Sequence, residues 1–465
     1  GMTVDQGGRS GERVDFFGRS ASMSTGAVKL ALKHDCAIIP IYYRRMGGAH
    51  TQLILDGVFT AKRGGDWPAD VRDNLQRLVG IYEKYLRRYP HEYLWTYKIY
   101  KYSLHRDLVI ITDGKVGHLR QAQGLAKSVL RGLQERKIQT RIFTVQVKFR
   151  SRWRRIGLEL LASLSGRYPG SGWGGRYLRY ALSDASWQEL ARLNPDLIIS
   201  AGSATGAVNY LLARESQAKS AVIMRPGNLS LRKFDLAVVA RHDLKSIPWP
   251  ARWNKKIVVT EGALNLIDEE YLQSSISGLK QSGLLKSKLL QPCIGVLIGG
   301  ESKQFKLSPA AVSQLAQAVK QAAANLGMDI LLTTSRRSSP QVEVSVKQAF
   351  ADVEQCKLLV IANQSNHPDV VGGILGLSRL VICSPESISM ISEAVAAGKY
   401  TVVFDQPGLS AKHRRFLRNF SRKGYIYLEL VENLSARICR VLELCPPVKL
   451  PPDNLKVSAG VSRII

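Results

Sequence analysis

The chain of 465 residues carries 66 Lys and Arg residues against 37 Asp and Glu residues, which gives a formal net charge of +29. With 45% hydrophobic and 22% charged residues, its composition is that of a folded globular protein of about three domains and excludes long disordered segments. The positive charge favours anionic partners, and because basic residues cluster beside Trp and Tyr without a nucleic-acid-binding signature, a membrane surface is favoured over nucleic acid.

The cysteines and the apolar runs set further limits. The six cysteines form no Cys-x-x-Cys pair and no metal-like group with histidine, which predicts core thiols in a reducing compartment and no metal site. No apolar run approaches the ~20 residues that span a bilayer, and no signal peptide is evident. We therefore expect a soluble or peripheral protein.

Residues 1–104 form the first predicted segment. A helix is predicted from about Ser24 to Lys33, strands over 37–45 and 51–59, and a long amphipathic helix from Pro68 to Tyr89. Pro90 ends that helix, and an aromatic and basic stretch follows it.

This segment resembles the C-terminal half of the lipid A late (lauroyl and myristoyl) acyltransferases over about residues 4–101. The resemblance is carried by Asp5-Gln6, Phe16-Phe17-Gly18, Thr25-Gly26, Ile39-Pro40 with Arg44-Arg45, Asn74, and Pro90 with Leu94-Trp95. That family uses a His-x4-Asp/Glu motif, and no histidine of this chain has an acidic residue at that spacing. We therefore expect the segment to be inactive in acyl transfer. Its incomplete sheet is expected to pack against the rest of the chain or to form a homodimer.

The run from Leu108 to Lys127 is the strongest local signal in the second segment, residues 105–291. It reads as a buried strand, a polar loop over Thr112–Gly117, and an amphipathic helix that begins at His118. This order presents backbone N–H groups and a helix N-terminus to an anion, although an ordinary strand-to-helix turn is the plainer alternative.

Further strands alternate with helical patterns, as in a parallel, doubly wound sheet. They are predicted at 140–147, 196–200, 220–224, 235–239 and 256–260. Gly202, Ser203 and Arg225 directly follow two of these strands. Because the ligand crevice of an open α/β sheet lies at the carboxyl ends of its strands, these residues are predicted to line one cleft, with surface loops as the alternative.

A basic and aromatic stretch at 148–180 departs from this pattern. Several large apolar residues share one helical face, while arginines crowd the N-terminal turn, where the helix dipole disfavours cations. A nearby anionic surface explains that placement, so we predict an interfacial membrane helix, the alternative being a helix packed on the core. The predicted membrane contacts are Arg152, Trp153, Arg154, Arg155 and Trp173.

Residues 292–465 form a second α/β unit. Strands are predicted at 294–298, 329–334, 357–361, 379–383 and 401–404. Three stretches at strand ends offer close backbone approach, paired guanidinium groups and hydroxyls at a helix N-terminus, which together predict a nucleotide or phosphate site. Its residues are Gly299, Gly300, Ser302, Ser335, Arg336, Arg337, Ser387 and Ser389. The predicted fold class is α/β, with two Rossmann-like domains in a GT-B arrangement after an incomplete acyltransferase-like segment.

Residues from about 108 to 440 resemble the plant mitochondrial-fission (elongated-mitochondria) factors and their bacterial relatives. The motifs are Thr112-Asp-Gly-Lys-Val-Gly-His118, Ile199-Ser-Ala-Gly202, Ile298-Gly-Gly300, Thr334-Ser-Arg-Arg337, Ser387-Ile-Ser-Met390 with Glu393, and Phe416 to Gly424. The layout is similar to that of the peptidoglycan N-acetylglucosaminyltransferase. This similarity implies that Glu393 and the Ser387–Ser389 turn hold the donor's ribose and diphosphate, and that Gly117 and His118 face the acceptor or the reacting centre. Gly114, in the same loop, is predicted to line the acceptor cleft. Relatives usually have Thr-Asp-Ser where this chain has Ser384-Pro-Glu-Ser387.

The expected function is a metal-independent GT-B glycosyltransferase that uses a nucleotide-sugar and no cofactor, with His118 or Asp113 as the base. Its acceptor would be a lipid A or other envelope glycolipid precursor, at the inner face of the bacterial inner membrane. One alternative is a non-catalytic membrane recruitment factor, as the plant relatives imply. Another is a nucleotide-sugar epimerase, but no Gly-x-Gly-x-x-Gly fingerprint follows a predicted strand and no Tyr-x-x-x-Lys pair is positioned after one.

Overall fold

The structure is a computed structural model that describes residues 1–95, 97, 99–166, 173–246, 254–287, 289, 292–301, 305–365 and 367–465. The strands are β1 (Glu12–Phe16), β2 (Arg19–Met23), β3 (Ile41–Gly47), β4 (His50–Leu55), β5 (His105–Thr112), β6 (Gln139–Gln146), β7 (Leu197–Ala201), β8 (Lys219–Ile223), β9 (Leu236–Ala240), β10 (Ile257–Thr260), β11 (Cys293–Leu297), β12 (Asp329–Thr333), β13 (Cys356–Val360), β14 (Ser378–Cys383), β15 (Tyr400–Phe404) and β16 (Tyr427–Glu429). The helices are α1 (Gly26–His34), α2 (Trp67–Arg88), α3 (Val116–Gln134), α4 (Arg152–Leu164), α5 (Trp173–Ala181), α6 (Asp184–Ala191), α7 (Gly206–Glu215), α8 (Glu269–Gln281), α9 (Pro309–Leu326), α10 (Pro340–Phe350), α11 (Val370–Leu377), α12 (Ile388–Ala396), α13 (Ala411–Arg422), α14 (Leu434–Leu444) and α15 (Asp453–Val461).

The chain divides into two compact units, residues 1–106 with 134–141 and residues 107–133 with 142–465. In the first unit, α2 buries one apolar face against the antiparallel hairpin of β1 and β2, with Phe16 and Leu75 fully buried. The sequence predicted α1 and α2 but not this short hairpin. β3 and β4 form a separate antiparallel pair whose opposed residues Ile41 and Leu55 are both exposed.

The second unit contains two parallel six-stranded sheets. The strand order of the N-terminal sheet is β10-β9-β8-β7-β5-β6, and that of the C-terminal sheet is β13-β12-β11-β14-β15-β16. In chain order the C-terminal sheet reads 3-2-1-4-5-6, the doubly wound order of dinucleotide-binding folds. The central strands β7, β11 and β12 are mostly apolar and buried on both faces, as is typical of parallel sheets. The predicted α/β class with two Rossmann-like sheets is confirmed.

Two crossings of the chain connect the halves of the second unit. After β10, the chain continues into α8, which packs against α11 of the C-terminal half. Close approach there depends on glycine, because a Cβ at Gly372 or Gly373 would meet the side chains of Ser275 and Leu279. The final helix, α15, returns to the N-terminal sheet and packs against β10 and β9.

Glu261 is the centre of an ionic network at these crossings. Its carboxylate accepts two hydrogen bonds from Arg241, at 2.8 and 2.9 Å, and one from Asn419 of α13 at 3.1 Å. Lys423 and Lys456 lie 2.8 and 3.7 Å from the same carboxylate. Elements from both halves therefore meet on one carboxylate that is only 2% exposed.

The ionisation of Glu261 is coupled to folding. Burial opposes ionisation, but the hydrogen bonds from Arg241, Lys423 and Asn419 outweigh it and lower the pKa of Glu261 from 4.5 to about 2. Because the folded pKa is depressed, the stabilisation is complete above about pH 4.5 and is lost as the pH falls towards 2.

We expect Glu261→Gln to lower the free energy of unfolding at pH 7 by about 3 kcal/mol, because the cations that surround this buried carboxylate lose their counter-charge. Urea unfolding of both proteins between pH 3 and pH 7 measures this, and the difference should shrink towards the acid end. Glu432→Gln, which alters an exposed carboxylate, is the matched control and should change stability by less than about 0.5 kcal/mol. Equal effects of the two substitutions would contradict the assigned role of Glu261.

Candidate functional site

His118 and Asp113 form the polar centre of the N-terminal half. Asp113 follows β5, His118 lies in the first turn of α3, and Nδ1 of His118 lies 3.0 and 3.1 Å from the two carboxylate oxygens of Asp113. Lys115 adds an ion pair to the same carboxylate at 3.2 Å. Burial opposes ionisation of Asp113, but His118 and Lys115 outweigh it and hold the pKa of Asp113 below its ordinary value. The side chains of these two predicted residues therefore contact each other.

The ring of His118 lies close to the backbone of Gly202. A Cβ at Gly202 would lie 2.5 Å from Cε1 of His118, and Gly202 has a φ of +86°, so the position requires glycine for two reasons. β5, β7 and β8 are neighbours in the sheet, which brings the loops after them to one edge. Ser203 follows β7 and Arg225 follows β8; both are exposed, and Arg225 Nε donates to the Gly227 carbonyl at 3.0 Å.

The remaining predicted residues of this edge are the glycines of the loop before α3. Gly114 has a φ of +84°, and its N–H donates to Oγ1 of Thr112 at 3.1 Å, which fixes the turn that carries Asp113. Gly117 is exposed in the first turn of α3, and its missing side chain leaves open space. The predicted acceptor residues therefore belong to adjacent strand ends.

The C-terminal half brings the glycine loop and the arginine loop together. Gly299 and Gly300 follow β11, and the Arg337 carbonyl accepts a hydrogen bond from the Glu301 N–H at 3.0 Å. A Cβ at Gly300 would lie 2.1 Å from Cβ of Arg337, so only glycine permits this approach. Ser335 Oγ accepts from the Arg337 N–H at 3.2 Å, which shapes the turn that exposes Arg336 and Arg337 to solvent.

Glu386, in the loop after β14, is a buried carboxyl group at this same edge. Its Oε1 accepts a hydrogen bond from Ser384 at 3.1 Å, and a Cβ at Gly299 would collide with that oxygen. Its Oε2 is buried without a hydrogen-bond partner among the described residues. Burial raises the pKa of Glu386 to about 7, although its own backbone N–H, Ser384 and Arg337 oppose the rise. The carbonyl of Glu386 accepts from the ring of His413.

The helix that follows, α12, carries the last three predicted residues. Ser387 is its buried N-cap residue and Ser389 is exposed in its first turn. Glu393 is buried, and its Oε1 lies 3.6 Å from Nη1 of Arg120 on α3. Burial raises the pKa of Glu393, and Arg120 opposes the rise. Glu393 thus links the helix that begins beside Glu386 to the helix that carries His118.

A family model described as mitochondrial fission ELM1 matches residues 116–434, which is more than half of the chain. The chain belongs to the mitochondrial fission ELM1 family. A second model, of bacterial lipid A biosynthesis acyltransferases, matches residues 1–102. Both resemblances expected from the sequence are confirmed. An uncharacterized protein of Rickettsia prowazekii (strain Madrid E) is 25% identical over 276 residues, which are 53% of this chain and 72% of that protein.

Some solved structures are similar to this ELM1 family member at low sequence identity. A UDP-GlcNAc 2-epimerase from Methanocaldococcus jannaschii has 12% identity and a TM-score of 0.46 and covers 77% of this chain and 99% of its own. MurG from Acinetobacter baumannii has 12% identity and a TM-score of 0.36, with 77% and 94% covered. Likenesses at this identity and TM-score concern the fold alone.

The sequence assigned no role to three residues of the ELM1 family member's candidate site, namely Ser384, Glu386 and Arg120, although Ser384 and Glu386 lie in a stretch that it indicated as part of the phosphate site. The signal that could have found Glu386 is an acidic residue three positions after the apolar strand β14. Arg120 had no signal, because its partner Glu393 lies on a distant part of the chain. Of the predicted residues, Ser302 lies outside the described part of the chain.

The helix predicted to meet a membrane is present as α4, and the loop predicted after it contains a second helix, α5. Trp153 and Leu164 of α4 are 80% and 84% exposed, and Trp173 of α5 is also exposed. The guanidinium carbon of Arg154 lies 4.3 Å from the ring centre of Tyr180. No helix among the described residues is both long and apolar enough to cross a bilayer. The same part of the chain has no group of three His, Cys, Asp or Glu side chains arranged for a metal ion.

The raised pKa of Glu386 makes stability depend on pH. The unfolded carboxyl ionises near pH 4.5, whereas the folded one stays protonated to about pH 7, so stability falls across this interval by about 3 kcal/mol. We expect Glu386→Gln, which cannot ionise, to be more stable than the wild type at pH 8 by 1 to about 3 kcal/mol, and similar to it at pH 4.5.

Urea unfolding at the two pH values checks this expectation, with the exposed Glu354→Gln as the control whose difference from wild type should not change with pH. If the difference between Glu386→Gln and wild type is the same at pH 4.5 and pH 8, the folded carboxyl is not held protonated.

Proposed function

We propose that this protein transfers a sugar from a nucleotide-diphosphate donor to a hydroxyl group of a lipid acceptor. The observation that carries the proposal is the contact between His118 and Asp113. A carboxylate only accepts hydrogen bonds, so Nδ1 of His118 carries the proton and Nε2 is the basic nitrogen. A basic imidazole nitrogen in a partly exposed ring suits proton removal from an acceptor hydroxyl.

The donor's diphosphate would bind at the opposite half of the second unit. Arg336 and Arg337 are exposed guanidinium groups beside a glycine loop that a bulky side chain would block. Guanidinium groups match pairs of phosphate oxygens, and the N-terminus of α12 adds the positive end of a helix dipole. These groups favour an anion at the ends of β11, β12 and β14.

The step follows from these roles. His118 Nε2 takes the hydroxyl proton while the acceptor oxygen forms a bond to the anomeric carbon of the sugar. The bond between that carbon and the diphosphate oxygen breaks, and the electron pair leaves with the nucleoside diphosphate. Arg336 and Arg337 stabilise the charge that develops on this leaving group.

The ion pair of Arg120 with Glu393 supports a single site built from both halves. Arg120 lies two residues after His118 on α3, and Glu393 lies on the helix that begins beside Glu386. Because Glu393 is already held by Arg120, its implied role as a ribose ligand requires this pair to open or to be shared with the ligand.

Calorimetry with uridine, cytidine, guanosine and adenosine diphosphates and their sugar conjugates tests the donor assignment. We expect one nucleotide to bind, and Arg337→Ala to weaken its binding about tenfold or more, because a charged hydrogen bond to phosphate is lost. The exposed Arg72→Ala is the matched control. Failure of every nucleotide to bind the folded protein would contradict the proposal.

We expect His118→Ala to reduce turnover of the identified donor and acceptor by about 10²- to 10⁴-fold with little change in nucleotide affinity, since general-base assistance is lost. His367→Ala is the control, because His367 also has an aspartate neighbour but lies in the C-terminal half. Turnover by His118→Ala at the wild-type rate would show that another group is the base. Sugar-nucleotide conversion without an acceptor would indicate epimerisation instead.

The proposal also includes a location and an acceptor. The protein would lie at the inner face of the bacterial inner membrane, and its acceptor would be lipid A or a related envelope lipid. This part of the proposal is supported by the exposed apolar residues of α4 and α5 beside arginines, and by the lipid A acyltransferase match of the first unit. The exposed, apolar outer face of β3 and β4 additionally favours a homodimer through the first unit. Light scattering that gives a monomer mass at every concentration would contradict the dimer.

We expect the protein to sediment with vesicles that contain anionic lipid and not with neutral vesicles, because arginines and exposed aromatic residues share α4 and α5. Trp153→Ala with Leu164→Ala should reduce the bound fraction severalfold. The control is Leu455→Ala, another highly exposed leucine, on α15. Equal binding to both kinds of vesicle, or to neither, would contradict the membrane assignment.

A non-catalytic recruitment factor is the second candidate, and the same exposed α4–α5 surface favours it. The two candidates differ in one result. A recruitment factor binds the membrane but turns over no nucleotide-sugar, whereas the enzyme does both.

A further inference from the structure

Helices α4 and α5 enclose an apolar groove of about 370 Å³. Leu158, Leu161 and Ala181 line it with aliphatic atoms, and Tyr177 and Tyr180 add aromatic rings. This volume is within the range of small-molecule sites, about 300 to 1,000 Å³. The groove is therefore large enough for part of a ligand, and the proposed catalytic residues do not line it.

Gly157 keeps the groove open. It lies within α4, between Trp153 and Leu161 at helical i±4 spacing, and an ideal Cβ there would meet nothing within 4 Å. A glycine within a helix costs about 1 kcal/mol relative to alanine, and packing does not require one at this position. The missing side chain is instead explained by the space that it leaves between its two neighbours on the helix.

The groove is surrounded by positive charge. α4 and α5 contain five arginines and one glutamate, Glu159, which lies 3.9 Å from Arg155. Arg154 lines the groove itself, stacked on Tyr180, with Nη1 donating to the Tyr180 carbonyl at 3.1 Å. An occupant would therefore place an apolar part between the helices and an anionic part beside the arginines.

An alkyl chain fits this surface better than a peptide. The walls are helices, whose backbone N–H and C=O groups are largely paired within the helix, so a peptide backbone would find few partners in an apolar groove. An alkyl chain has no polar group to satisfy, and its transfer from water to the groove is favourable.

We propose that the groove between α4 and α5 binds the alkyl chain of an amphiphile whose anionic headgroup pairs with the arginines of these helices. The inference rests on the proposed function in one respect, because it identifies the lipid of the acceptor as the occupant. It differs from adsorption to a membrane, since a single amphiphile molecule would bind without a bilayer.

The test uses the full chain and dodecyl phosphate below its critical micelle concentration, with calorimetry as the readout. We expect saturable binding, and at least about tenfold weaker binding of dodecyl maltoside, which has the chain without the charge, and of inorganic phosphate, which has the charge without the chain. Wild-type protein that binds no dodecyl phosphate, or binds dodecyl maltoside equally well, overturns the proposal.

Two substitutions at one position separate the groove from the general surface. Gly157→Leu should fill the groove and weaken dodecyl phosphate binding at least about tenfold, whereas Gly157→Ala should retain it. Leu160→Ala, which alters an exposed leucine that does not line the groove, should also retain binding. Equal affinity of Gly157→Leu and wild type overturns the proposal.

Thermal unfolding confirms that each variant is folded, and nucleotide binding does not enter the readout. The two proposals can therefore fail separately. The amphiphile can bind when no nucleotide does, and a nucleotide can bind when the amphiphile does not.

Discussion

The second unit depends on one buried carboxylate. The carboxylate of Glu261 contacts the cationic or amide groups of Arg241, Asn419, Lys423 and Lys456. The backbone N–H groups of Glu261 and Gly262 donate hydrogen bonds to Asp453. An unpaired charge in such a place costs several kcal/mol, so the network is satisfied only when both halves and the last helix are in position. This requirement fixes the halves that carry the two parts of the candidate site.

The candidate site contains groups that stability alone does not explain. Glu386 is buried with one oxygen lacking a partner among the described residues, and an ionisable group held in that state destabilises the folded protein as the pH rises. Gly202 and Gly300 allow contacts with His118 and Arg337 that any side chain would prevent. A buried ionisable group and close backbone contacts that destabilise the fold are typical of ligand sites at the carboxyl ends of parallel strands.

The proposed membrane position rests on one region of the protein surface. A net charge of +29 attracts anionic surfaces in general, but α4 and α5 combine arginines with exposed Trp153, Leu164 and Trp173 in one region. Charge brings such helices to an anionic interface, and apolar burial holds them there. In the proposed lipid site, the groove beside Gly157 would hold the alkyl chain while the headgroup stays near the arginines.

The sequence by itself determined the two α/β units, because continuous apolar strands alternate with helical periodicity. It also predicted Asp113 and His118, because they lie in a strand–loop–helix motif that the resembled family shares. The spacing of the apolar residues alone also predicted the apolar face of α4. The sequence did not reveal the β1–β2 hairpin, whose short strands have a weak pattern, or the roles of Glu261, Glu386 and Arg120. Those roles depend on partners far away along the chain, such as Lys423, and on burial, which sets the ionisation of a carboxyl group. Only the tertiary structure supplies both, since distance in space and exclusion of water are not properties of local sequence.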